Sequence, residues 1–225
     1  MSIDLRPDCA CVVTSRDAES VFRLRLAAYV TASEFEMTRP DLLRWSTHDE
    51  DGVVIGVWHA NELVSTLRTR VVPDRAAAED EFTCSVDLPA SMFPALAFGY
   101  GATNVAFRRH GLNALLRYYF FQALQPGDGR IRTSLAVVYE GAPRVKLLKT
   151  LGYEFSRPAK IWDPEAREIA PALLAALPRN RLAPAQTRLA AMCATNIVRY
   201  PWSGEPLRIE EDVTSTKFDI DAERD

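Results

Sequence analysis

The sequence predicts a mixed α/β fold, a central sheet flanked by helices, with additional helices towards the carboxyl terminus. Three observations carry that expectation. Two β-like runs, VVIGVW and LVSTLRTRVV, surround the short polar turn HANE. A strand containing Gly99 and Gly101 leads into a helix whose apolar residues Leu112, Leu115, Leu116, Tyr119, Phe120, Ala123 and Leu124 recur at three- and four-residue steps. A second helix, from about Pro143 to Leu151, is closed by Gly152 and followed by the strand-like TLGYEF.

Taken in order, Cys9 and Cys11 lie in a first strand, where a period of two points both to one face. Val21 to Val30 reads as an amphipathic helix, with Val21, Leu24, Ala28 and Tyr29 near one side and Arg23 and Arg25 carrying charge. In LVSTLRTRVV, Leu63, Ser65, Leu67, Thr69 and Val71 share one face; Val64, Thr66, Arg68 and Arg70 share the other, so the two arginines project together. Pro73 to Pro94 lacks a clear period and reads as a loop with a short helix. From Leu96 to Phe107 a strand is expected, its two glycines marking a bulge or a close backbone approach. Pro126-Gly127-Asp128-Gly129 ends the following helix, and RIRTSLAVVY alternates as a buried strand. After Pro164, the segments EAREIAPALLAAL and PAQTRLAAMCATNIV read as two helices packed on the core, and the acidic stretch after Trp202 as a weakly ordered tail. The expected division is a core over 1–163, a helical extension over 164–200 and a tail over 201–225.

Composition narrows the functional classes. With 225 residues, 48% hydrophobic and 25% charged, the chain is ordinary globular material, enough for one domain. A net charge of −3 gives no general attraction for nucleic acid or anionic lipid. The four cysteines and three histidines show no paired metal-ligand spacing, so reduced thiols and no metal are expected. No basic leader or long apolar span is evident, which points to a soluble cytoplasmic protein.

The stretch VAFRRHGLNALLRYYF holds the motif with most chemical content. A pyrophosphate needs several unpaired N–H donors at a helix amino terminus, where the macrodipole also favours negative charge. Arg108, Gly111 and Asn113 occupy the three positions of a pattern of Arg or Gln, two residues, Gly, one residue, then Gly or Ala. The stretch resembles the donor loop of the GNAT acyltransferase superfamily, and LLKTLGYEF resembles that family's closing helix-to-strand junction. Asn113 departs from the pattern, because a small residue is usual there. FRLRLAAYV and the extra carboxyl-terminal helices are also similar to long-chain N-acyl amino acid synthases and acyl-homoserine lactone synthases within the superfamily.

The resemblance implies an N-acyltransferase using acyl-CoA, or an acylated phosphopantetheine carrier protein, and a small amine or amino acid acceptor. It places the donor on Asn104, Val105, Ala106, Arg108, Arg109, His110, Gly111, Leu112, Asn113 and Ala114, with a strand amide among Asn104, Val105 and Ala106 polarising the thioester carbonyl. The family's usual acid, a tyrosine four residues before the junction glycine, falls on Leu148. The acid and arginine that the synthases carry on the fourth strand fall on Phe98 and Tyr100. Tyr139, Glu140 and Tyr100 are therefore the substitute candidates for proton transfer, a packed strand aromatic being the plain alternative for Tyr139. Arg25 and Arg68 are candidates to hold an acceptor carboxylate, or else solvated arginines. Trp45, Trp58, Trp162 and Trp202 either line an acyl cavity or pack. The departures leave room for two other readings: a long-chain synthase, or a silent domain that binds a thioester or a protein. Oligomeric state stays open.

Overall fold

A computed structural model of the chain describes residues 7–32, 40–124, 130–158 and 172–207. The order is β1 (Cys9–Val13), α1 (Ala18–Ala32), α2 (Thr47–Glu50), β2 (Val53–His59), β3 (Glu62–Val72), α3 (Arg75–Phe82), β4 (Ala95–Thr103), α4 (Leu112–Ala123), β5 (Thr133–Tyr139), α5 (Pro143–Leu151), β6 (Glu154–Ser156), β7 (Ala172–Pro178) and α6 (Leu182–Arg199). The strands form one seven-stranded sheet in the order β1-β2-β3-β4-β5-β7-β6. Among the described strands only β4 and β5 run parallel; the other neighbouring strand pairs are antiparallel.

Helices cover both faces. Val53, Ile55 and Val57 of β2 join α4 and α6 residues in one core, while Val54 and Trp58 join Val21, Leu24 and Ala28 of α1 in a second. That division is the period of two seen in the sequence. Cys9 is buried beside Val21 and Leu24, and Cys11 packs against the same cluster. The expected hairpin is present, its two turn residues Ala60 (φ 48) and Asn61 (φ 67) both left-handed, as the tightest hairpin turns require. In β3 the predicted alternation slips once. Register shifts where Val57 faces Ser65 and Trp58 faces Leu63, so Leu63 joins the α1 cluster while Val64, Leu67 and Val71 face α4. Arg68 and Arg70 do project together, both towards Glu81 of α3. The stretch after Pro73 contains α3, whose amino end is capped by Asp74 accepting from the Ala77 amide at 2.9 Å.

One predicted helix is corrected. ALLAAL, read as the end of a helix, is strand β7, inserted between β5 and β6 and paired along its whole length with β5 from Thr133↔Pro178 to Tyr139↔Ala172. A short apolar run buried on both faces has no polar side, so its periodicity does not separate strand from helix. The preceding residues 159–171, which include Trp162, lie outside the described residues, as do 125–129 with the predicted helix stop and 208–225 with most of the acidic tail. The second predicted helix is α6, packed on α4 through Ala185, Leu189 and Cys193. Beyond it, Trp202 bridges Ala10, whose amide donates to the Pro201 carbonyl at 3.0 Å and whose carbonyl accepts from Ser203 at 2.8 Å. This segment pairs the free edge of β1.

Candidate functional site

β4 and β5 are hydrogen-bonded only where Ala95 to Phe98 face Thr133 to Ala136. Beyond Phe98 the two strands part. On its other side β4 pairs with β3 as Arg68↔Gly99 and Thr66↔Ala102, so Tyr100 and Gly101 stand opposite Leu67 alone. That extra residue is a β-bulge, and Tyr100 there takes φ 46. The two glycines give the room that the sequence led us to expect. A Cβ on Gly99 would lie 3.1 Å from both Arg68 Nη2 and Glu81 Oε1; one on Gly101 would lie 3.1 Å from Asn113 Nδ2 and 3.2 Å from Arg144 Nη2. The Gly101 carbonyl faces the parting and accepts from Arg144 Nη2 at 2.7 Å.

The loop after β4 ends at the amino terminus of α4. Arg109 (φ 67) and Gly111 (φ 77) are left-handed, which turns the chain so that Leu112 starts the helix. The Leu112, Asn113 and Ala114 amides, in its first turn, have no acceptor within the helix and sit at the positive end of its dipole. Arg109, His110 and Gly111 are exposed. Asn196 of α6 braces the loop by donating Nδ2 to the His110 carbonyl at 2.7 Å. Arg108 is turned towards α1, with Nη2 donating to the Ala28 carbonyl at 2.9 Å. The Asn104 amide donates to the Val64 carbonyl at 2.9 Å and the Ala106 amide to the Asn104 side chain at 3.0 Å, so both are already engaged. Asn113, larger than the residue usual at its position, directs its side chain to the space left by Gly101 and accepts from Arg117 Nε at 3.3 Å.

On the side of the sheet that carries α1 and α3, buried charges surround Tyr100. Arg25 is not on an outer face: it is 1% exposed and forks onto Asp49, Nη1 to Oδ2 at 2.9 Å and Nη2 to Oδ1 at 2.5 Å. Arg68, equally buried, donates to Glu81, which also meets His48 Nδ1 at 3.3 Å. The Arg25 and Arg68 guanidinium carbons lie 5.0 and 4.6 Å from the centre of the Tyr100 ring. Burial raises the Tyr100 pKa above the ordinary tyrosine value, against the opposing pull of Arg68. Asp49, Glu81 and His48 were not singled out in the sequence. Glu81 stands where a Gly99 side chain would be, so α3 supplies a carboxylate beside the fourth strand. The signal was available in the acidic run Glu79-Asp80-Glu81 and the facing Gly99, but nothing in the spacing joined them.

The other candidates are dispersed. Tyr139, at the far end of β5, is 44% exposed, and Glu140 pairs with Arg157 at 3.0 Å on the surface. Leu148 is fully buried. Trp45 and Trp58 pack against α1, and Trp202 packs at a tilt against Tyr119, 5.2 Å between ring centres.

The arrangement has the GNAT fold, as the expectation from sequence held. A CoA-dependent acyl-homoserine lactone synthase, BjaI, is 18% identical with a TM-score of 0.55, covering 89% of this chain and 95% of its own. A ribosomal-protein-alanine N-acetyltransferase from Escherichia coli is 14% identical with a TM-score of 0.53, covering 76% and 93%. FeeM, an N-acyl amino acid synthase from uncultured soil microbes, is 13% identical with a TM-score of 0.50, covering 79% and 93%. No protein-family model and no curated protein sequence matches the chain.

Proposed function

We propose that this protein is an N-acyltransferase that moves an acyl group from a CoA or phosphopantetheine thioester to a small amine. The observation that supports it best is the parting of β4 and β5 directly beside the free amino terminus of α4. The amides of Leu112 to Ala114 suit a pyrophosphate, with Arg109 adding charge at the exposed edge. The pantetheine arm would run along the unpaired edge of β4. The amide that polarises the thioester carbonyl would be that of Gly101 rather than of Asn104 or Ala106, because Gly101 faces the parting and the other two amides are engaged.

In the reaction the amine nitrogen attacks the thioester carbonyl, a C–N bond forms, the C–S bond breaks, the amine gives up a proton and the departing thiolate takes one. Tyr100 is the best placed of the candidate acids, adjacent to Gly101 and kept protonated by its burial. His48, bonded to Glu81 and partly exposed, is a candidate to take the amine proton. Arg25 and Arg68, each with its own carboxylate, would frame Tyr100 and the acceptor rather than grip a free acid.

Incubation with acyl-CoA donors and an amine library, read by mass spectrometry, tests the proposal: an acylated amine supports it. Donor binding with no product from any amine would favour the silent thioester-binding domain, the reading supported by Leu148 in place of the usual tyrosine. A protein that binds neither CoA nor pantetheine thioesters would defeat both.

A further inference from the structure

Arg117 is a buried cation that the reaction above does not use. It lies on α4 outside the apolar face drawn by the helical periodicity, yet it is 1% exposed. Its Nε donates to Asn113, its guanidinium interacts with the Tyr153 hydroxyl and lies 4.5 Å from the Phe98 ring centre, and Nη1 has no partner among the described residues. Arg25 and Arg68, just as buried, each hold a carboxylate; among the described residues Arg117 holds none. Its charged neighbour is a second cation, Arg144. Burial, with a smaller contribution from Arg144, brings its pKa down to about 10, so it remains charged at neutral pH. An unpaired guanidinium is costly to keep inside a protein unless an anion arrives to meet it.

Its position says which anion. Phe98 is the last β4 residue paired with β5, and Asn113 and Arg144 reach to Gly101 at the parting itself. Behind Arg117, Tyr153 bonds Ser134 of β5 at 2.6 Å, so this floor is polar as well as cationic. A thioester whose carbonyl reached Gly101 would direct its acyl chain to this place.

We propose that the preferred donor carries a short acyl group ending in a carboxylate, a dicarboxylic acid monothioester, whose free carboxylate is received by Arg117 with Arg144 beside it. This rests on the donor reading above. Arg117 is then the residue that sets donor specificity, and long apolar chains are poor donors.

Calorimetric titration of the whole protein with malonyl-, succinyl- and glutaryl-CoA, each against the neutral acyl-CoA of equal carbon number, tests it. The wild type is expected to bind at least one carboxylated member about tenfold or more tighter than its neutral partner, as a charge-assisted contact warrants. Arg117→Met is expected to erase that ratio while neutral donors bind unchanged or more tightly. Equal or weaker binding of every carboxylated donor by the wild type overturns the proposal and leaves the donor reading standing. A ratio unchanged in a folded Arg117→Met protein also overturns it. Failure to bind any CoA or phosphopantetheine thioester removes the donor reading and this inference together. The wild-type ratio decides even where the variant does not fold.

Discussion

Asp49 and Glu81 each neutralise a guanidinium that would otherwise sit uncompensated under α1 and α3. Removing one member of such a pair is far worse than replacing both, because the survivor stays buried and charged. Asp49→Ala is therefore expected to lose about 3–5 kcal/mol in urea unfolding, and Arg25→Met/Asp49→Leu much less. Gly101 makes a different demand. Its added Cβ would meet three side chains rather than backbone, the ends of Asn113 and Arg144 and the buried Leu67, so Gly101→Val is expected to cost about 1–3 kcal/mol in the same measurement. Donor affinity should nonetheless fall at least about tenfold, since the valine fills the parting. Tyr100→Phe removes a hydroxyl and little volume. It should lower kcat by roughly a hundredfold with donor binding intact, and an unchanged kcat would take Tyr100 out of the chemistry.

Among the elements, the sequence announced those with a marked period, even where, as in β3, a bulge later shifts it. The β2–β3 hairpin, α1, α4, α5 and β6 lie where alternation, apolar stripes and a closing glycine put them. β7 was misread because six apolar residues without a polar face fit a buried strand as well as a helix. The candidate site was legible as a loop but not as a constellation. Arg108 to Asn113 run into the start of α4 in one continuous stretch, whereas Asp49, Glu81 and Tyr100 meet only after α2, α3 and β4 are folded together. Element positioning is itself testable at α6, whose Asn196 holds the His110 carbonyl. Asn196→Ala should weaken donor binding several-fold while kcat at saturation stays within about twofold, separating a positioning residue from one in the chemistry.

For the molecule as a whole, buried groups set the alkaline limit. Burial raises Cys84 and Cys193 to about 11 and Tyr119 to about 12, against ordinary values of 9.0 and 10.0. Between each ordinary value and each raised one, the unfolded chain has released a proton that the folded chain still holds. Stability from these groups is thus complete below about pH 9 and lost as pH rises towards 12. Urea midpoints should fall steadily over that window, and native Cys84 and Cys193 should resist thiol reagents until the protein unfolds. In the proposed function the donor sits along the parting of β4 and β5 with its pyrophosphate at the start of α4. Hydrogen exchange followed by mass spectrometry, with and without saturating CoA, tests it most directly. Slower exchange is expected across the start of α4, Leu112 to Ala114, and at Gly101. Unchanged exchange there, or protection confined to another part of the sheet, would contradict it.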